Sequence, residues 1–185
     1  TPLLNCGEEY SSKTLASYIN DNVSKVYTGE GLYELNGELV YRGEAPNNYV
    51  KISGKTYRIV KVVDNEVVLI SNEKIEKDVW DDRYNVDRTM NDGINDYPVS
   101  RIYEKLNTLY NDNKIVSAND KSLLASHTLY IGKRNSSDNY NDGSIEKSQY
   151  FENQYVGLLP LYDYINASVD ENCQSADNNS CANYN

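Results

Sequence analysis

The stretch Leu32-Tyr33-Glu34-Leu35-Asn36-Gly37-Glu38-Leu39-Val40-Tyr41 decides the fold class. Asn36-Gly37 is the dipeptide that best accepts positive φ at two successive positions, as a two-residue hairpin turn requires, and β-forming residues flank it on both sides. The pattern repeats downstream. Ala45-Pro46-Asn47-Asn48 reads as a turn, Tyr49 to Ser53 as a strand and Gly54-Lys55 as a tight turn. Thr56 to Val63 is then a strand, Asp64-Asn65 a turn and Glu66 to Ser71 a strand. Within Thr56 to Val63, Tyr57, Ile59 and Lys61 alternate with Arg58, Val60 and Val62, so the two sets are expected on opposite faces. Val67 to Ile70 is apolar without a break, which reads as a central strand covered on both faces.

Helices surround this meander. Leu15, Tyr18, Ile19, Val23, Val26 and Tyr27 recur at helical spacing, with Ser11 and Ser12 available as N-caps. Pro98 to Asn111 is a second helix, with Pro98 in its first turn and Val99, Ile102, Tyr103, Leu106, Leu109 and Tyr110 on its apolar face. Leu123 to Ile131 and Tyr155 to Leu159 read as strands, Arg134 to Gly143 as a polar loop and Pro160 to Ala167 as a short helix. The order gives an α+β domain: an N-terminal amphipathic helix, an antiparallel meander of hairpins, and one or two further helices. Residues 1–27 form the N-terminal helical segment and residues 28–185 the β-rich globular domain.

The composition narrows the class of partner. The chain has 18 tyrosines but one Phe, one Trp and one Met, so Tyr must supply the aromatic packing. A net charge of −10 argues against nucleic acid and against an anionic lipid surface, both of which need clustered Lys and Arg. No run approaches the ~20 apolar residues of a membrane-spanning helix. Thr1 in place of Met reads as a trimmed or processed start. Of three cysteines, Cys173 and Cys181 enclose a polar loop and are expected to form a disulfide in an oxidising compartment, leaving Cys6 over. Their spacing matches no zinc finger, and the single histidine, His127, lies in another segment.

Candidate chemistry is sparse. Asp78, Asp81, Asp82, Asp87, Asp92 and Asp96, with Asn91 and Asn95, offer oxygens of the kind calcium takes. The EF-hand template fails there: Gly93 as its sixth residue puts Arg88 at the first. With Gly143 as the sixth residue, Asp138 and Asp142 fit, but Tyr140 takes the third position and Gln149 the twelfth. The expectation is no cofactor, with calcium the one ion the acidic loop could take. Glu44-Ala45-Pro46-Asn47 resembles the Glu-Pro-Asn signature of calcium-dependent lectins with an extra residue, and reads as a turn. A Ser-His-Asp triad would have to use His127, which sits in an apolar stretch with no Gly-x-Ser-x-Gly motif in the chain. Twenty-eight acidic residues make any carboxylate pair uninformative about glycoside hydrolysis. No catalytic residue is assigned. Tyr84, Tyr97, Tyr140 and Tyr150 fall in polar segments, where Tyr serves either recognition or the pinning of a loop to the core.

Three groups of residues carry a resemblance. They are Gly31-Leu32-Tyr33 with Tyr41-Arg42-Gly43-Glu44-Ala45-Pro46-Asn47-Asn48-Tyr49-Val50-Lys51; Thr56-Tyr57-Arg58-Ile59-Val60 with Val68-Leu69-Ile70-Ser71-Asn72-Glu73; and Val156-Gly157-Leu158-Leu159-Pro160 with Asp163-Tyr164-Ile165. Over roughly residues 28–185 they resemble a family of domains on surface-exposed proteins of low-GC Gram-positive bacteria, related to C-type-lectin-like and formylglycine-enzyme-like folds and sometimes fused to prepilin-like leaders. Leu106-Asn107 resembles that family's Trp-Leu-Asn region, with Lys105 where Trp would stand. The family continues past its second Cys into a Trp-containing strand and a closing strand, whereas this sequence ends at Asn185, so a truncated chain or a different closure is expected.

Together these readings give an extracellular, cell-surface, non-catalytic domain for adhesion, ligand binding or surface structure. Its expected partners are other surface proteins, pilus subunits, or a host or glycan ligand, without nucleic acid and without direct membrane insertion. The alternatives are a pilin-like subunit and an enzyme acting on surface polysaccharide or protein. The enzyme would need a cleft holding a carboxyl of raised pKa beside a second carboxylate.

Overall fold

In the computed structural model the described residues are 14–135, 138, 143–170 and 173, with the backbone of residues 4–5. Three hairpins organise them. Strand β2 (Gly31–Leu35) turns at Asn36-Gly37 into β3 (Glu38–Arg42), β4 (Tyr49–Ile52) turns at Ser53-Gly54 into β5 (Lys55–Val63), and β5 turns at Asp64-Asn65 into β6 (Glu66–Ser71). Both residues of every turn have positive φ, from 49° at Asp64 to 83° at Gly37, the backbone that matches the twist of the flanking strands. The second turn therefore lies one residue earlier than Gly54-Lys55.

The long strand β5 is the hub. One edge pairs with β6; the other pairs with β4 along its first half and with β3 at Lys61 and Val62. β2 extends the sheet beyond β3, and the two-residue β1 (Leu4–Asn5) runs parallel to β4. Helix α1 (Leu15–Asn22) lays Ala16 and Ile19 into the sheet, where they share one apolar core with Leu32, Leu39, Tyr41, Val50, Ile52, Tyr57, Ile59, Val62 and Val116. Thr14 caps this helix by accepting a hydrogen bond from the Ser17 amide; Ser11 and Ser12 lie outside the described residues. The helix stops at Asn22, and Lys25 then bridges to Leu32, leaving Tyr27 exposed.

Two strand expectations need correction. β6 is not a central strand: among the described residues it pairs with β5 alone, and its residues are partly exposed, Ile70 most of all. An unbroken apolar run carries no information on which edge is paired. The strict alternation along β5 also fails, because the register with β6 shifts between Ile59 and Lys61. Val60 is the extra residue of a β-bulge, so Val62 joins Tyr57 and Ile59 in the core and Lys61 faces elsewhere.

The second half of the chain is built on shorter pieces. Tyr97–Val99 is a 3₁₀ turn holding Pro98, and helix α2 (Arg101–Asn111) starts later than Pro98, capped by the Ser100 hydroxyl. Residues Ala118–Leu123 form another 3₁₀ turn, so only β7 (His127–Tyr130) remains of the strand expected from Leu123. After the short α3 (Ser144–Lys147), β8 is Tyr150–Gln154, not Tyr155 to Leu159, and pairs antiparallel with β7. Helix α4 (Leu161–Asn166) follows Pro160 as expected. No helix among the described residues is long and apolar enough to cross a membrane.

Candidate functional site: a braced loop and an apolar cleft

The segment from Ile75 to Asp96 has almost no regular structure, yet it is tied together throughout. The Asp81 carboxylate, fully buried, takes both Nε and a terminal nitrogen of Arg83 at 2.9 and 2.7 Å and the Arg83 amide at 3.0 Å. The Arg83 hydrogen bonds hold Asp81 far below the ordinary carboxylate range. Arg83 also reaches the Val99 carbonyl, fastening the loop to the start of α2. The buried Asn85 donates to the Gly93 carbonyl at 2.6 Å, and its backbone pairs with Met90. Trp80 donates its indole N–H to the Ile94 carbonyl at 3.2 Å.

The acidic residues that suggested a cation site are mostly engaged with bases. Asp82 and Asp78 meet Arg101, Asp92 meets Arg88, and Asp81 meets Arg83. Among the described residues no three His, Cys, Asp or Glu side chains are grouped as a metal ion would need. Part of the second acidic segment, including Tyr140 and Asp142, lies outside the described residues.

This loop turns large apolar side chains outward: Val79, Trp80, Tyr84, Val86, Met90 and Ile94 are all exposed, Val86 to 74%. Trp80, Asn95 and Tyr97 then form one wall of a cleft of about 340 Å³. Its other walls are the run from Leu129 to Arg134, the run from Leu158 to Leu161, and Glu146. Glycines let these walls close: a Cβ on Gly132 would stand 2.0 Å from the Ile145 carbonyl oxygen, and one on Gly157 would stand 2.4 Å from a Leu129 methyl. The Tyr97 ring packs between Trp80 and Tyr103, at centroid separations of 6.0 and 5.5 Å. Its hydroxyl is buried without a hydrogen-bond partner among the described residues, and burial pushes its pKa up to about 12.

Glu146 and Arg134 form a near-buried, two-point ion pair at 2.6 and 2.5 Å, and the Tyr162 amide adds a third hydrogen bond at 3.1 Å. A carboxylate so occupied is a fixture of the wall, already supplied with donors. Below it, Lys61 meets Glu38 and Asp163 at 3.1 and 2.9 Å. Burial, with the neighbouring charges of Glu38 and Glu146, raises the pKa of Asp163 against the pull of Lys61. That is the perturbed carboxyl an enzyme would use, but Asp163 is not among the residues lining the cleft.

The other sequence candidates are dispersed. His127 Nδ1 lies 2.8 Å from Glu66 across to β6, half-exposed. Glu44-Ala45-Pro46-Asn47 is a bend whose first two amides are held by Glu30. Tyr84 and Tyr150 are exposed, Tyr97 is buried, and Tyr140 lies outside the described residues. Cys173 is buried and disulfide-bonded, whereas Cys181 and Cys6 lie outside the described residues.

Trp80, Arg134, Glu146 and the Leu158–Leu161 wall were not singled out as a site in the sequence. The lone Trp beside Asp81, Asp82 and Arg83 was the available signal. Comparison with known proteins found no matching family model, no matching curated protein and no matching solved structure.

Proposed function

We propose that this chain is a non-catalytic binding domain displayed outside the cell, where it engages a surface protein or a host or glycan ligand through the Ile75–Asp96 loop. The observation that carries this reading is the loop's combination of internal bracing with outward apolar side chains. Exposed apolar surface costs solubility and is usually tied to a partner. A loop already fixed by Asp81–Arg83 and Asn85–Gly93 gives up little freedom on binding. The disulfide at Cys173 supports an oxidising compartment, and the family resemblance supports a surface location.

The test has two parts. On intact source cells, the domain should be accessible to added protease. Beads coated with the domain should bind members of a panel of glycans and extracellular matrix proteins, and the Val86→Ser/Met90→Ser double variant should lose most of that binding while melting like the parent. A cytosolic protein with reduced cysteines, or turnover of a panel glycan or protein, would overturn the reading.

A further inference from the structure

Two acids and one base meet where β5, β3 and α4 come together. Val40 on β3 pairs with Lys61 on β5, so Glu38, two residues away along β3, is a diagonal neighbour of Lys61 on the same face. The Lys61 ammonium lies 3.1 Å from the Glu38 carboxylate and 2.9 Å from that of Asp163, and the three side chains are 14%, 20% and 8% exposed. Two carboxylates about one ammonium leave a net negative charge in a site with little water, and Glu146 adds its charge to the field at Asp163. Such a cluster favours a proton on one carboxyl, and Asp163 is the more buried of the two. Burial is the main cause of its raised pKa. A neutral carboxyl in contact with an amine nitrogen is an acyl donor held beside its nucleophile.

We propose that Lys61 and Asp163 close an intramolecular isopeptide bond, with Glu38 moving the protons. The two carboxylates hold Lys61 in its ammonium form, so the nitrogen must first lose a proton, and the Glu38 carboxylate is in place to take it. The freed amine attacks Cγ of the protonated Asp163. The C–N bond forms, the Cγ–OH bond breaks, and the hydroxyl leaves as water with the proton that Glu38 took. The nitrogen's second proton passes to Glu38, which releases it to solvent. One ammonium and one carboxyl thus become one amide, one water and one proton, with no oxidant or reductant. The fold holds the reacting groups in contact, which replaces a bimolecular encounter. In open water hydrolysis wins because the separated groups ionise and are hydrated. Here both have lost much of that hydration, so a neutral amide in place of a near-buried ion pair is favoured. The bond would join the hub strand β5 to α4, beside the Leu158–Leu161 wall, and thiols that open the disulfide at Cys173 would not open it. The ion pair is the state before closure, and its pH behaviour belongs to that state. The inference does not depend on the binding-domain reading.

The test is the mass of the full chain, kept folded for days at neutral pH and then unfolded with every disulfide reduced. The expected mass is one water below that of the sequence. A tryptic digest should then hold residues 59–74, uncut after Lys61, joined to the peptide that starts at Ser148 and contains Asp163. The branched peptide decides, because succinimide formation at Asp92-Gly93 removes the same water without joining two segments. Glu38→Gln lacks the base and should keep its full mass and both linear peptides while its circular dichroism matches that of the parent. Lys61→Arg keeps a cation between the two carboxylates but offers no such amine, and it should likewise lose no water. Full mass in the parent with Lys61 and Asp163 in linear peptides, or a loss of water without the branch, overturns the proposal. A branch formed at undiminished yield in Glu38→Gln overturns the role given to Glu38.

Discussion

Lys61 on β5 and Asp163 on α4 meet at 2.9 Å, with neither side chain more than 14% exposed. This contact depends on the bulge at Val60. Were the strand regular through Val60, Lys61 would share a face with Tyr57 and Ile59 and enter the apolar core. With it, the ammonium turns to Asp163 and Glu38 and ties the sheet to the helix that follows the cleft wall. One cation thus serves two carboxylates, with Glu146 close enough to add its charge to the field at Asp163.

Lys61→Met should therefore cost about 3–5 kcal/mol at neutral pH, because it leaves Asp163 and Glu38 facing each other without a cation. The pH dependence follows from two raised pKa values. Burial lowers that of Lys61, but the charges and hydrogen bonds of Asp163 and Glu38 lift it above 10.5 overall. Its contribution is fully present below 10.5 and is lost as pH rises through the higher folded value. Asp163, raised chiefly by burial, favours folding when protonated, so the penalty in Lys61→Met should shrink toward acid pH. Urea unfolding of parent and variant at pH 7 and pH 4 measures the cost and its decline toward acid; an equal loss at the two values would contradict this account.

The Asp81–Arg83 brace has the opposite acid signature. The Arg83 hydrogen bonds lower the Asp81 pKa below its ordinary 3.8. Its stabilisation is present above 3.8 and is lost as pH falls toward the depressed folded value. Loop structure, followed through Trp80 emission, should persist at pH values where ordinary carboxylates have already protonated. Asp81→Asn should change the emission at neutral pH and flatten the acid limb of the unfolding curve.

How far the sequence disclosed this molecule depends on whether the determining chemistry is local. Asn36-Gly37 and Asp64-Asn65 were legible because each turn is set by the φ preferences of its own two residues. Pro160 likewise marked the start of α4. β8 was missed because Tyr150-Phe151-Glu152-Asn153-Gln154 has no apolar alternation and exists by pairing with β7. The apolar run from Val156 to Leu159 looked more strand-like, but it lies outside any strand, and Leu158 and Leu159 line the cleft. Lys61 was assigned to the wrong face for a related reason: a bulge is created by the partner strand's register and leaves no mark in β5 itself. Arg134 and Glu146 are paired 12 positions apart in sequence, a spacing with no helical or strand period to reveal it.

Gly93 offers a sharp test of the loop's rigidity. Its φ is +69°, and a Cβ there would stand 2.1 Å from the Asp81 carbonyl oxygen, a backbone atom that cannot swing away. Gly29 has nearly the same φ, +73°, but nothing within 4 Å of a Cβ. Gly29→Ala should cost only the left-handed backbone strain, about 1 kcal/mol. Gly93→Ala should add the overlap to that strain, displace Trp80 and Asp81, and lower the melting temperature more than Gly29→Ala. Matching melts would mean that the loop yields easily, which would remove the main support for a preorganised binding surface.

The disulfide at Cys173 sets the last test. We propose Cys181 as its partner, across the polar loop between them. On chain-entropy grounds a bridge closing so short a loop stabilises by about 2.5 kcal/mol, whereas one from Cys173 to Cys6 would close nearly the whole chain and contribute about 5 kcal/mol. The two connectivities therefore differ in energy as well as in mass. Non-reducing peptide mapping should recover a cross-linked fragment holding residues 173 and 181. Cys6→Ser should leave it intact with little loss of stability, whereas Cys181→Ser should destabilise the fold by the smaller figure. A fragment joining residues 6 and 173, together with a loss near the larger figure in Cys6→Ser, would overturn the assignment and tie the N-terminal segment covalently to the region after α4.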